Sequence, residues 1–284
     1  MATAAQIRLS AENVKPKIGS RILNTKEELL SGELAAELRD LLEQRGVLVF
    51  PQINFTDEEH VAFTKTLGTF APEMTDKDKD EHVVHAITLD EKVNPGSAIY
   101  LKGSLFWHID GTMNDLPIRA SLLACKVPSP KGTGNTGFSN TYAAYDALTD
   151  EQKAEFDQYK VRHGAWATLM YWSPEPDQTL LERMQAIGDV EIPLVWNHES
   201  GRKSLVIGNT AHTISGKNHF DSTRILNWLR THATKEEFTF SHEWTVGDLV
   251  IWDNTGTMHR AEWYDPDCGR MMVRTKLEGE EPIQ

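Results

Sequence analysis

The chain has 284 residues, 39% of them hydrophobic, and a formal net charge of −13 at pH 7. That length and apolar content supply a full core, the acidic balance repels a phosphate backbone and so excludes nucleic acid as the expected partner, and no run approaches the roughly 18 apolar residues of a membrane helix. Two cysteines, Cys125 and Cys268, are too few for a disulfide framework, and the first residues lack the charged-then-apolar pattern of a secretion signal, so a reducing cytoplasm is the expected compartment.

Thr25-Lys26-Glu27-Glu28 is a capping-box pattern. It opens a helix expected to run to about Arg45, with Leu29, Leu30, Leu34, Leu38, Leu41 and Leu42 on one stripe and Gly46 as its stop. Val47-Leu48-Val49-Phe50 reads as a buried strand, and Thr56 caps a second helix that reaches Gly68. The stretch 70–95, with Lys77-Asp78-Lys79-Asp80-Glu81 at its centre, reads as a solvated loop. Strands are expected over 98–101, 105–110 and 120–127, then a short helix over 141–148 and another capped by Thr149. The apolar run 166–172 suits either plain core or a hydrophobic lid. Strands over 192–196 and 204–207 flank a turn, and Asp221 is placed as the N-cap of a helix over 222–231. Three closely spaced strands follow, over 238–244, 248–252 and 270–277. Many strands with turn signals, and helices gathered near the N-terminus, predict a mainly β protein with flanking helices built as a jelly roll. The expectation is one domain over 1–284, helical at about 20–70 and with its jelly-roll core at about 96–277.

The chemistry gathers at two places. In Phe106-Trp107-His108-Ile109-Asp110, residues two apart share a face, so His108 and Asp110 point the same way. Two histidines and one carboxylate with open positions form the arrangement of non-haem Fe(II) oxygenases, and His259 is the candidate third ligand. A second His-x-Asp, His219-Phe220-Asp221, heads an amphipathic helical run and is set aside. Further on, alternation places Arg270, Met272 and Arg274 on one strand face and Met271, Val273 and Thr275 on the other, which reads as packing against helices. If the first face lines the barrel, two buried guanidinium groups about 13 Å apart need anionic partners; the alternative is an edge strand with both in water.

Taken together, His108-x-Asp110, the distal His259 and Arg270 eleven residues beyond it resemble the TauD/TfdA family of Fe(II)/2-oxoglutarate-dependent dioxygenases. The resemblance runs from about Val47 to Leu277 and includes Gly134-Asn135-Thr136, Tyr142 to Leu148, Ser200-Gly201-Arg202-Lys203 and Gly247 to Asn254. It implies the double-stranded β-helix of the cupin-like jelly rolls. It implies that His108, Asp110 and His259 bind Fe(II), that Arg270 pairs with the far carboxylate of 2-oxoglutarate with help from the Thr136 hydroxyl, and that Arg274 meets the acidic group of the primary substrate. With O2 as the other cosubstrate, such an enzyme hydroxylates its substrate and releases succinate and CO2.

The aromatic residues Tyr100, Trp166, Tyr171 and Trp172 favour a small organic acid with an apolar or aromatic body, the alternative being a compact sulfonate such as taurine. Neither nucleic acid nor membrane is an expected partner, and a homo-oligomer stays open. Three departures from the family pattern, Thr255 where an arginine is common, Asn135 where an aspartate is common, and Gly111-Thr112-Met113, bear on substrate choice and leave the metal set intact. Two rivals of other classes are a redox-silent cupin-like metalloenzyme and a non-catalytic small-acid binder. Arg270 and Thr136 count against the first, because neither has a purpose without a keto acid, and the intact metal ligands count against the second.

Overall fold

The computed structural model describes residues 7–72, 83–93 and 98–284. Among these, a seven-stranded sheet runs in the order β1 (Ala11–Asn13), β2 (Ser20–Ile22), β3 (Val47–Phe50), β13 (Leu249–Asp253), β5 (Ala120–Val127), β15 (Met271–Leu277), β4 (His85–Ile87). All of its pairings are antiparallel except β2 with β3. A smaller sheet holds β6 (Thr136–Asn140) between β12 (Thr239–His242) and β14 (Thr257–Ala261). The remaining strands form β11 (Ala211–Ile214), β7 (Lys160–Gly164) and β8 (Asp189–Pro193) in one sheet, and β9 (Val195–Asn197) with β10 (Lys203–Leu205) in a pair.

Alternation explains why the central strands read as unbroken apolar runs. Val47, Val49, Leu123, Cys125, Val250, Trp252 and Met272 point inward and meet Phe138 and Phe240 of the smaller sheet. Their neighbours Leu48, Phe50, Leu122, Ala124, Leu249, Ile251 and Val273 point outward and meet Leu29, Leu34, Leu38 and Leu42 of the N-terminal helices. Strands covered on both faces need no polar side. This is the expected jelly roll with a helical layer on its large sheet.

Several local expectations are corrected. The N-terminal helix is two helices, Lys26–Leu30 and Ala35–Arg45. Gly32 adopts a left-handed φ of +79°, which ends the first. Full burial of the four leucines, worth about 1.5–3 kcal/mol each, keeps both pieces on one stripe despite the break. Residues Ala98–Leu101 are a short helix followed by one 3₁₀ turn, Lys102–Leu105, and not a strand. Hydrogen bonds from Ser104 Oγ to Leu101 O (2.6 Å) and from Asn209 Nδ2 to Gly103 O (2.8 Å) hold that compact form. Nearly half of the expected loop at 70–95, its charged centre included, lies outside the described residues; inside them, β4 pairs with β15. Asn218, and not Asp221, caps the helix His219–Ala233, accepting from the Asp221 N–H at 2.9 Å. No helix among the described residues is long and apolar enough to cross a membrane.

Candidate active site

His108 and His259 are brought together by backbone. Each donates its N–H to the other's carbonyl, at 3.0 and 2.9 Å, as a single antiparallel bridge on the free edge of β14. Their rings lie 4.0 Å apart between centroids, and Trp252 packs on the His259 ring at 4.6 Å. The expected strand over 105–110 is reduced to this bridge, yet the two-residue spacing still delivers Asp110 to the same side. Gly111 then turns the chain at φ +81°, where a Cβ would meet the Ile118 nitrogen at 2.8 Å.

One ligand atom from each of His108, Asp110 and His259 falls within 4.8 Å of the others. His108 Nε2 is 3.6 Å from Asp110 Oδ1, and His259 Nε2 is 3.7 Å from Asp110 Oδ2. These separations are too long for hydrogen bonds. The His108 Nδ1–H donates to Phe106 O at 2.8 Å, which leaves its Nε2 lone pair facing the carboxylate. Burial, with His108 opposite, holds His259 well below the usual imidazole range, so its ring is neutral and could serve as a ligand. Burial opposes ionisation of Asp110, but the cationic groups facing it, Arg274 and Lys276 among them, outweigh it and keep the carboxyl below its usual range. Two imidazole nitrogens and an ionised carboxylate converge. That donor set fits a divalent iron.

The triad borders a pocket that brings in the other expected residues. His108, His259, Thr136, Arg270 and Arg274 share its wall with Leu89, Leu101, Leu123 and Tyr264. Arg270 is 3% exposed, its Nε has no hydrogen-bond partner, and its guanidinium lies over the Tyr264 ring at 4.6 Å. Among the described residues no carboxylate pairs with it. A buried cation so placed suits a bound acid. Thr136 Oγ1 accepts from Trp244 Nε1 at 3.0 Å, which leaves its own proton to give. Arg274 Nη1 reaches Asp110 Oδ2 at 3.4 Å. The face reading of this strand therefore stands, although the pairing register shifts between Met271 and Met272. On its other face Thr275 meets Thr64 and His60 of the helix Asp57–Leu67.

A larger cavity of about 810 Å³ shares Leu89 and Tyr264 with this pocket and is lined further by Leu105, Trp172 and Trp263 and by the charged residues Asp90, Glu91, Lys92, Lys102 and Asp267. Of the four aromatic candidates only Trp172 lines it. Tyr171 packs on Phe106 and Arg230, the Trp166 N–H donates to Asp189, and Tyr100 lies under Arg183. The decoy pair His219 and Asp221 sits in its helix, apart from the triad. Tyr264, Trp263 and Ser121, whose hydroxyl donates to Asp110 Oδ2 at 3.2 Å, were missed. Ser121 carried a signal, being a polar residue on the inward side of an apolar strand.

The model of the family described as "Taurine catabolism dioxygenase TauD, TfdA family" matches residues 10–276. The chain belongs to the TauD/TfdA family. An (S)-phenoxypropionate/alpha-ketoglutarate-dioxygenase from Sphingobium herbicidovorans is 31% identical over 245 residues, covering 83% of this chain and 83% of that protein. An alpha-ketoglutarate-dependent 2,4-dichlorophenoxyacetate dioxygenase from Cupriavidus pinatubonensis is 31% identical over 268 residues, covering 90% and 92%. The solved structure of AAD-2 in complex with Mn(II) and N-oxalylglycine overlays with a TM-score of 0.81 at 28% identity, covering 98% of this chain and 100% of that one. This TauD/TfdA member is thus a dioxygenase dependent on Fe(II), 2-oxoglutarate and O2, releasing succinate and CO2. The redox-silent metalloenzyme and the non-catalytic binder fall away.

Proposed function

We propose that the enzyme hydroxylates a small organic acid with an apolar or aromatic body. His108, Asp110 and His259 hold Fe(II), Arg270 and Thr136 hold the far carboxylate of 2-oxoglutarate, and Arg274 receives the acid of the primary substrate. The observation that carries this reading is the convergence of three metal-ligand atoms within 4.8 Å beside a pocket walled by all three of those other residues. When bound, iron with its cosubstrates supplies the oxidising power. The chain's own part is to orient. The Phe106 carbonyl fixes the His108 tautomer, and Arg270 offers a dry two-donor fork. Arg274 stands next to Asp110, so an acid held there keeps the rest of the substrate close to the metal.

The cavity of about 810 Å³ supports the apolar body, since it lies in the size range of drug-like ligand sites and carries two indoles. A compact sulfonate would leave most of it to water. The aryl acids named for the two relatives agree with that choice. We also infer a cytoplasmic protein, supported by two free cysteines, and a single domain, supported by the way N-terminal strands join the sheet of β13, β5 and β15.

The test is succinate formation from 2-oxoglutarate under air with Fe(II), stimulated by acids paired with their amides or methyl esters. Wild type is expected to prefer aryl acids strongly over both the blocked forms and taurine, and Arg274→Ala to lose the preference for the acid. If taurine is the better stimulant, the small-sulfonate reading replaces this one.

A further inference from the structure

A chain of buried hydrogen bonds ends on the Asp110 carboxylate. Trp252 Nε1 donates to Asn254 Oδ1 at 2.9 Å, Asn254 Nδ2 donates to Ser121 Oγ at 3.0 Å, and Ser121 Oγ donates to Asp110 Oδ2 at 3.2 Å. Ser121 and Asn254 are fully buried and Trp252 is 2% exposed. Trp252 and Ser121 are direct partners across β13 and β5, so the sheet register itself sets the first and third members side by side.

The direction of this chain is fixed by chemistry. An indole N–H can only donate, so Asn254 must turn its oxygen to Trp252 and its NH2 to Ser121. With a lone pair of Ser121 occupied in that way, its proton goes to the ionised carboxylate, which can only accept. A hydroxyl in that position cannot rotate away without leaving Asn254 Nδ2 unpaired in the core. Asp110 needs such an anchor, because it sits beyond the single backbone bridge at His108 and just before the Gly111 turn. Arg274 also reaches Oδ2, at 3.4 Å, but is assigned to the substrate's acid.

We propose that Ser121 is a positioning residue. Backed by Asn254 and Trp252, it forms a one-way relay that holds the Asp110 carboxylate in its metal-binding orientation while Arg274 turns to the substrate. Trp252 then serves two ligands, its ring against His259 and its N–H at the head of the relay to Asp110. This inference rests on the reading of Asp110 as an iron ligand, and the experiment separates the two.

The measurement is Co(II) binding to the metal-free full-length protein, without 2-oxoglutarate, followed by calorimetry and by the visible absorption of the bound ion. Ser121→Ala is expected to raise the Co(II) Kd about 10–100-fold, the usual effect of losing a partner that orients a ligand. Ser121→Thr keeps the hydroxyl and is expected to stay near wild type. Ser139→Ala removes another fully buried hydroxyl, one that donates to Ala233 O at 2.7 Å and not to the relay, and is expected to leave the Kd unchanged. Wild-type affinity in Ser121→Ala overturns the relay, as does an equal loss in Ser139→Ala or no recovery in Ser121→Thr. Asp110→Ala is the reference. If it binds Co(II) like wild type, the ligand assignment fails; if it loses the metal while Ser121→Ala does not, only the relay fails.

Discussion

Arg270 concentrates the argument at the scale of single residues. A guanidinium 3% exposed and stacked on a tyrosine, with one N–H unpaired, is tolerated in a core only if an anion arrives. Burial pulls its pKa below the usual arginine value, but it stays charged at any working pH. Removing one side of such a contact typically costs about 2–5 kcal/mol. Arg270→Ala is therefore expected to raise the KM for 2-oxoglutarate well over tenfold while iron content, read by metal analysis, holds. His108→Ala is expected to abolish both iron retention and succinate formation, and His219→Ala to alter neither. The sequence already sets the second His-x-Asp apart by the amphipathic helical run it heads, and the fold agrees, putting one pair in an extended stretch facing His259 and the other in the first turn of a helix. Ser121 and Tyr264 stayed hidden because their contacts are made by the fold and not by sequence spacing, Ser121 with Asp110 and Asn254, and Tyr264 with the guanidinium over its ring.

At the scale of elements, capping boxes read well, whereas the lone cap placed at Asp221 and the short apolar segments did not. Thr25, Thr56 and Thr149 each close a full capping box, as their spacing predicts. The segment Ala98–Leu101 has strand-forming residues but folds as a helical turn, because hydrogen bonds from Ser104 and the distant Asn209 decide its shape. The helix Asp57–Leu67 carries a further consequence. It buries His60 completely, with Nε2 at 3.1 Å from the Thr275 hydroxyl on β15, and burial pushes its pKa down to about 4. His163 on β7 is likewise pushed down to about 3 by burial. Both are neutral in the native protein, whereas an unfolded histidine titrates near 6.5. The unfolded chain therefore takes up protons first, and stability falls as pH drops from about 6.5 towards the native pKa. For His60 the loss is roughly 3 kcal/mol by pH 4. Denaturant unfolding across this range is expected to give a flatter pH profile for His60→Gln than for wild type.

At the scale of the whole molecule, the two-sheet architecture was legible because strand alternation and helix stripes agree. The compensation for Thr255 was not. In place of the arginine expected after Trp-Asp-Asn, Arg119 enters from the start of β5 and donates to Asp253 Oδ1 at 3.2 Å and to Thr255 Oγ1 at 3.0 Å. Its Nη2 approaches Glu43 of the helix Ala35–Arg45 and its Nε approaches Glu280 near the C-terminus, each at 3.9 Å. Asp253, foremost among these acids, raises the Arg119 pKa further. One guanidinium thus ties sheet, helix and tail together. Arg119→Met leaves Asp253 fully buried and unpaired, a loss of about 3–5 kcal/mol, and is expected to lower the Tm by roughly 10 °C.

The backbone bridge between His108 and His259 bears on how such a molecule matures. Each histidine closes the other's amide, so neither can be in place alone. A chain that ends before His259 holds two of the three proposed ligand residues and lacks the third. On the ligand assignment proposed above, a complete metal site requires β14 docked on β6, and an ion held by both histidines is expected to clamp their bridge and stabilise the fold.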